Sequence, residues 1–121
     1  EEQQKVKKKV IFVMKKLGGV NKADLRLEIY EDKTYKLFNC GHFIREEKLS
    51  DFFFHLILDL KQNLIKFKDT TCPNIDPFFC NYIFEIDNIT INLGQVNSSC
   101  ILIISQKLFN SIKDVDALAA L

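Results

Sequence analysis

Tryptophan is absent from this chain of 121 residues, and arginine occurs only at Arg26 and Arg45. The 17 basic residues nearly balance the 16 acidic ones, for a net charge of +1. Dedicated nucleic-acid binders are more often strongly basic with arginine-bearing patches, so we expect no nucleic-acid partner. The chain has only two prolines and many large apolar residues, which excludes intrinsic disorder. No apolar run approaches the roughly 18 residues of a membrane-spanning helix, so we expect no transmembrane segment.

Catalytic and cofactor-binding motifs are also missing. The sequence contains no Gly-x-Ser-x-Gly elbow, no His-Glu-x-x-His zinc motif, no phosphate-binding Gly-Lys-Ser/Thr loop and no dinucleotide fingerprint. Its two histidines, His42 and His55, fall on unrelated elements. Cys40-Gly41-His42 has no second closely spaced ligand pair that would complete a zinc site. We therefore predict that the protein is not an enzyme and that it uses no cofactor and no metal.

The periodic apolar segments of the chain predict a single α+β domain. Leu25, Leu27 and Ile29 alternate with polar residues, which is typical of a half-buried strand. Ser50-Asp51 predicts a helix start, because a serine N-cap is followed by an acid that suits the helix dipole. The predicted elements are strands 10–14, 25–30 and 35–38, a helix to about residue 68, strands 82–86, 89–93 and 100–104, and a short helix over 105–112. This order favours a mainly antiparallel sheet of hairpins with one long helix packed on it and a short C-terminal helix.

The four cysteines, Cys40, Cys72, Cys80 and Cys100, allow three disulfide pairings. Cys72 and Cys80 flank a proline-containing loop that a disulfide would close, with a stabilisation of about 2–3 kcal/mol. Oxidised cysteines would indicate an extracellular, periplasmic or cell-surface location, because disulfides persist in oxidising compartments. The alternative is a cytoplasmic protein with four reduced, buried thiols, since free cysteine packs as a small hydrophobe.

Both ends of the sequence have an unusual composition. Apart from Ala23, every alanine lies within the last five residues. We predict that residues 115–121 are a vector-encoded tail and that a single native domain covers residues 1–114. The polar start Glu1-Glu2-Gln3-Gln4 suits a trimmed chain whose natural leader was removed, and a lipid anchor on the native precursor is one hypothesis. We expect the domain to be a monomer.

Leu17-Gly18-Gly19-Val20-Asn21 interrupts the first strand and predicts a tight turn or an exposed loop. Adjacent glycines cost chain entropy and remove side chains that would pack, so stability alone does not readily explain them. One hypothesis is an exposed segment from Leu17 to Lys22 that inserts into the cleft of a partner. The other is a hairpin connection that requires positive φ.

Three features occur together in this layout. The segment Phe12-Val13-Met14-Lys15-Lys16-Leu17-Gly18-Gly19-Val20 precedes a hairpin, a helix carries Leu56 and Leu60, and Tyr82-Ile83-Phe84-Glu85-Ile86 precedes a return strand and a terminal helix. This layout resembles the emfourin-type inhibitors of thermolysin-like metalloproteases and, more loosely, the potempin group of small bacterial lipoprotein inhibitors. The resemblance covers most of the chain as a pattern, and its one literal motif is a strand that ends in Gly-Gly-hydrophobic. It implies a tight inhibitor that inserts the backbone of Leu17 to Lys22 into a metalloprotease cleft, whereas the four cysteines depart from the pattern.

We therefore expect a small secreted or surface-anchored bacterial protein whose partner is another protein. The first hypothesis is a protease inhibitor, with a metalloprotease as the favoured target, that occludes the active-site cleft with an exposed loop. The alternative is an immunity or adaptor protein that binds a toxin or another partner through its sheet face.

Overall fold

A computed structural model describes residues 8–20, 22–73 and 78–120. The regular elements in this part of the chain are β1 (Val10–Gly18), β2 (Ala23–Tyr30), β3 (Thr34–Asn39), β4 (His42–Lys48), α1 (Asp51–Ile65), β5 (Cys80–Ile86), β6 (Ile89–Gly94), α2 (Ile101–Ile104) and α3 (Gln106–Asp116). Single 3-10 turns cover Ser98–Cys100 and Ala117–Ala119.

The six strands form one antiparallel sheet in the order β4-β3-β2-β1-β5-β6. β1 therefore lies inside the sheet, between its hairpin partner β2 and the distant β5. The predicted α+β class, with an antiparallel sheet of hairpins and helices packed on it, is confirmed. α3 has 11 residues, so it is longer than the short C-terminal helix that the sequence predicts.

One face of the sheet is covered by the helices and carries the core. In α1, the side chain of Ser50 accepts a hydrogen bond of 3.1 Å from the backbone N–H of Phe53, as the N-cap prediction requires. The helix ends at Ile65, a little earlier than predicted. The largest fully buried side chains are Phe12, Met14, Leu27, Ile29, Leu37, Ile57, Leu60, Leu64, Phe84, Ile86, Ile91 and Leu93.

The edge strand β4 is not predicted by the sequence pattern. This strand pairs with β3 from Thr34 opposite Lys48 to Asn39 opposite His42. Nearly all of its side chains are exposed, so the apolar alternation that identifies a strand is absent. Its charged residues suit an edge strand, where they discourage pairing with another chain.

The predicted strand Cys100–Ile104 is wrong, because these residues end a 3-10 turn and form α2. The side chain of Asn97 accepts a hydrogen bond of 2.9 Å from the backbone N–H of Ser99 and so starts the turn. A short apolar run such as Cys100-Ile101-Leu102-Ile103-Ile104 fits a strand and a buried helical turn equally well by periodicity.

The disulfide joins Cys72 to Cys100, with a Cα–Cα distance of 5.6 Å. The suggested Cys72–Cys80 pairing is therefore wrong. The backbone N–H of Cys72 donates a hydrogen bond of 2.7 Å to the carbonyl of Leu93, which places Cys72 beside the end of β6. Cys80 instead begins β5, and its thiol donates to the carbonyl of Gly18 at 3.4 Å.

Residues 115–120 pack into the domain. Val115 and Ala119 are buried in the same core as the sheet. The guanidinium of Arg45 donates hydrogen bonds of 2.8 and 2.7 Å to the carbonyls of Leu118 and Ala120. The origin of this segment stays a prediction, but its described residues are part of the fold. No helix in the described ranges is long and apolar enough to cross a membrane.

Candidate functional site

Three chain connections meet at one end of the sheet, where β1 and β3 end and β2, β4 and β5 begin. We call this region the loop end. The first connection leads from β1 to β2, the second from β3 to β4, and the third runs into β5. The loop-end residues are Gly19, Val20, Lys22, Cys40, Gly41, Phe78 and Phe79.

The two glycines before β2 serve the turn. Gly18 and Gly19 have φ of +89° and +80°, and the backbone N–H of Lys22 donates to the carbonyl of Gly19 at 3.2 Å. A Cβ on Gly19 would lie 3.0 Å from Cys80 Sγ and 3.1 Å from the carbonyl oxygen of Phe78. The structure thus matches the hairpin-connection hypothesis, since glycine is required here by positive φ and by the approach of the chain entering β5.

The predicted partner-binding set, Leu17 to Lys22, is not one extended exposed segment. Leu17 and Gly18 belong to β1, where Leu17 pairs with Asp24 of β2 and with Asn81 of β5. Val20 and Lys22 are exposed, whereas Asn21 lies outside the described residues. Among the described residues of this turn, the side chains presented to solvent are those of Val20 and Lys22.

A phenylalanine pair lies beside the turn. Val20 is 64% exposed, and Phe78 and Phe79 are 66% and 50% exposed. The backbone N–H of Val20 donates to the carbonyl of Phe78 at 3.3 Å, which holds the two segments together. We call Val20, Phe78 and Phe79 the apolar tip. The two phenylalanines are not among the residues predicted to bind a partner, although two adjacent aromatic residues in a proline-containing loop are a signal for such a surface.

A depression of about 600 Å³ lies next to the apolar tip, and both unpaired cysteines line it. Cys40 is exposed and Cys80 is half-buried. Lys16 and Lys22 contribute positive charge to the same depression. The two cysteines were candidates for a disulfide, but the structure leaves both as thiols.

A second cavity, of about 460 Å³, lies between the start of β5 and α3. We call it the aromatic cleft, and its walls include Lys16, Phe79, Tyr82, Asn97, Phe109 and Lys113. The hydroxyl of Tyr82 donates a hydrogen bond of 3.0 Å to Asp116, and Lys16 Nζ lies 3.1 Å from the other carboxylate oxygen. Burial, together with the Asp116 carboxylate, raises the pKa of the Tyr82 hydroxyl far above its usual value.

The sheet face opposite the helices also has a concavity, of about 470 Å³, lined in part by Phe38 and Leu17. Four charged side chains of this face form two ion pairs: Arg26 Nε lies 2.6 Å from Glu28, and Lys15 Nζ lies 2.6 Å from Glu85. A partner would have to displace these intramolecular ion pairs to use the four groups.

The two histidines lie on separate elements, His42 at the start of β4 and His55 in α1. His55 shares a hydrogen bond of 2.8 Å with the carbonyl of Asp51, one helical turn earlier. Glu46 lies at the exposed sheet edge, 2.6 Å from Lys8. Within residues 8–20, 22–73 and 78–120, no three histidine, cysteine or acidic side chains cluster closely enough to hold a metal ion.

Comparison of the chain with protein-family models, with curated proteins and with solved structures finds no match in any of the three.

Proposed function

We propose that this protein binds another protein and inhibits a protease, with a metalloprotease as the favoured target. The observation that carries the proposal is the apolar tip, where Val20, Phe78 and Phe79 are each at least half exposed at one end of the molecule. Exposed aromatic side chains that lie side by side are typical of protein-binding surfaces, where they supply most of the binding energy. The resemblance in strand and turn layout to small metalloprotease inhibitors supports the same function.

A backbone hydrogen bond fixes the two segments that carry the apolar tip. The Val20–Phe78 hydrogen bond joins two segments that the sheet already places side by side, and Gly19 allows them to approach closely. A surface that is ordered before binding loses less conformational entropy when it enters a cleft. This arrangement suits an inhibitor that blocks a cleft by occlusion and takes part in no chemistry.

We also propose an exported location, which the Cys72–Cys100 disulfide supports. Disulfides form and persist in the periplasm and outside the cell and are rare in the cytoplasm. Cys40 and Cys80 are free thiols, as cysteines of a cytoplasmic protein are. Counting the thiols of the native protein therefore decides between the two locations.

The second candidate function is that of an immunity or adaptor protein. It would act through the sheet face opposite the helices, which we call the open sheet face. The observation that favours it is the contact between Phe38 and Phe43, whose ring centroids lie 5.9 Å apart beside the concavity of that face. Phe43 is largely exposed. A partner that docks on the sheet would cover both rings.

A titration of metallo-, cysteine and serine proteases with the whole protein tests the first candidate. We expect stoichiometric inhibition of one class. Val20→Asp and Phe78→Asp should each weaken that inhibition at least about tenfold, because a charge would be buried in the interface. The absence of stoichiometric inhibition of any protease would overturn the proposal.

Two control variants separate the two surfaces. Phe52→Asp changes a side chain that is 78% exposed at the start of α1, at the opposite end of the sheet, and should leave inhibition unchanged. Phe43→Asp alters the open sheet face and should also have little effect. If Phe43→Asp abolishes partner binding and Val20→Asp does not, the sheet-face candidate is correct.

A further inference from the structure

Among the described residues, the lining of the aromatic cleft carries an excess of one positive charge. Lys16, Lys113 and Asp116 are the three charged side chains of this described lining. Lys16 and Asp116 form an ion pair at 3.1 Å, so they neutralise each other. Lys113 is left without a carboxylate within ion-pair distance among the described residues. The cleft therefore complements a ligand with a single negative charge.

Lys113 is held over the aromatic walls. Its Nζ lies 5.5 Å from the ring centroid of Tyr82 and 5.6 Å from that of Phe109. These cation–π contacts place the ammonium group on the surface of the cleft, between two rings. Aromatic side chains in a cleft wall suit an apolar body, and an ammonium group beside them suits an anionic head group.

Asn97 adds a hydrogen-bond donor at the same cleft. Its side-chain oxygen already accepts from the backbone N–H of Ser99, so its orientation is fixed. Its amide Nδ2 is buried and has no hydrogen-bond partner among the described residues. A buried donor without an acceptor is unfavourable, so a ligand that brings an acceptor to this wall of the cleft would be stabilised by it.

From this placement we infer that the aromatic cleft binds a carboxylate carried on an aromatic or other apolar body. Lys113 pairs with the carboxylate, Asn97 donates to it, and Phe79 and Phe109, which line the same cleft, pack against the body. The volume of about 460 Å³ lies within the range of small-ligand pockets. The same chemistry is presented by a free aromatic acid and by the C-terminal residue of a peptide. The inference does not depend on whether the apolar tip binds a protease.

Backbone amide NMR of the whole protein tests this inference. Phenylacetate serves as the free acid, and an acetylated tripeptide that ends in phenylalanine serves as the peptide. We expect saturable shifts of amides around Tyr82, Ser98 and Lys113, with a dissociation constant of about 1 mM or below. The matched neutral probes, phenylacetamide and the same peptide with an amidated C-terminus, should bind at least about tenfold more weakly, since they lack the charge. Binding of phenylacetate alone identifies a small acid as the ligand, and tighter binding of the peptide identifies a chain terminus.

Three variants locate the site. Lys113→Gln should weaken carboxylate binding at least about tenfold. Lys107→Gln removes the same charge from the same helix, at a side chain that is 79% exposed and 3.6 Å from Asp59, and should leave binding unchanged. Asn97→Asp keeps an oxygen for the Ser99 N–H but replaces the donor with a negative charge, so it should also abolish binding. The inference is overturned if neither carboxylate gives saturable shifts, if the amides bind equally well, or if Lys107→Gln and Lys113→Gln weaken binding to the same extent.

Discussion

The hydroxyl of Tyr82 donates a hydrogen bond of 3.0 Å to the carboxylate of Asp116, and this bond ties β5 to the last turn of α3. Lys16 of the neighbouring strand β1 reaches the same carboxylate. Three elements that are far apart in the sequence therefore share one partly buried polar cluster. Asp116 lies in the segment that the sequence analysis set aside as a tail.

We expect Tyr82→Phe to lower the free energy of unfolding by about 1–2 kcal/mol, because the Asp116 carboxylate loses a charge-assisted hydrogen bond in a partly buried place. Tyr35→Phe is a matched control. The Tyr35 side chain is as buried as that of Tyr82, but its hydroxyl donates at 2.7 Å to Glu47, an exposed residue of the edge strand β4. Urea unfolding of both variants measures the difference. Equal losses of unfolding free energy would mean that burial does not strengthen the hydrogen bond between Tyr82 and Asp116.

We expect loss of the Cys72–Cys100 disulfide to cost about 3–4 kcal/mol. The two cysteines are 28 residues apart, and the estimate is the loop-closure entropy of a loop of that length in the unfolded chain. Urea unfolding of Cys72→Ala/Cys100→Ala measures it, with Cys40→Ser/Cys80→Ser as a control that removes two thiols and no disulfide.

Thiol counting checks the same pairing without any variant. Unreduced protein, unfolded and alkylated, should show two reactive thiols by intact mass, and Cys40 should react first in the folded state because it is exposed. Four reactive thiols would contradict the disulfide and remove the main support for an exported location.

We expect Gly19→Ala to destabilise the domain more than Gly41→Ala. Both glycines have φ near +80°, so both alanines suffer the same backbone strain of about 1–2 kcal/mol. A Cβ on Gly19 would in addition press on Cys80 and on the backbone of Phe78, whereas a Cβ on Gly41 meets no atom within 4 Å. Thermal unfolding of the two variants isolates the cost of this contact. Similar losses of stability in the two variants would show that Phe78 and Cys80 move away from the new Cβ at no cost.

We expect stability to fall as the pH drops below about 4.5, the ordinary pKa of a glutamate, in part through Glu28. Partial burial of Glu28 opposes ionisation, but hydrogen bonds from Tyr30 and Arg26 outweigh it and lower the pKa of Glu28. A carboxylate with a lowered pKa stabilises the fold above its unfolded pKa, and that contribution is lost as the pH falls through the folded pKa.

Urea unfolding midpoints of the wild type and of Glu28→Gln, measured above and below about pH 4.5, test this prediction. The variant should lose less stability on acidification than the wild type does. Asp32→Asn is the control: the hydroxyl of Thr34 and the ammonium of Lys8 lower the pKa of Asp32, but solvent screens these contacts. A variant Glu28→Gln with an unchanged pH dependence would contradict the prediction.

Local signals predicted the hairpins and the long helix well. Ser50 caps α1, and Asp87 takes the positive φ of the β5–β6 turn, as the sequence of each segment requires. These features depend on residues that are neighbours in the chain. The edge strand β4 gave no such signal, because its side chains face solvent on both sides.

The cysteine pairing and the apolar tip required the tertiary structure. Cys72 lies nearer in the sequence to Cys80 than to Cys100, but the pairing depends on Cys72 lying beside the end of β6. Phe78 and Val20 meet only because β5 pairs with β1, a contact between residues that lie far apart in the chain. Periodicity does not report such contacts, so the sequence identified the turn and missed its aromatic neighbours.

The interior position of β1 has a consequence for the order in which the protein folds. When the chain emerges N-terminus first, from the ribosome or across a membrane, β1 to β4 are available before β5, and Cys80 follows its neighbour Gly18 by 62 residues. Until β5 arrives, the apolar strand Val10–Gly18 has one unpaired hydrogen-bonding edge of the kind that recruits other chains. Lys8, Lys9, Lys15 and Lys16 flank its apolar centre, so we expect their charges to oppose aggregation of the unfinished sheet while this edge is open.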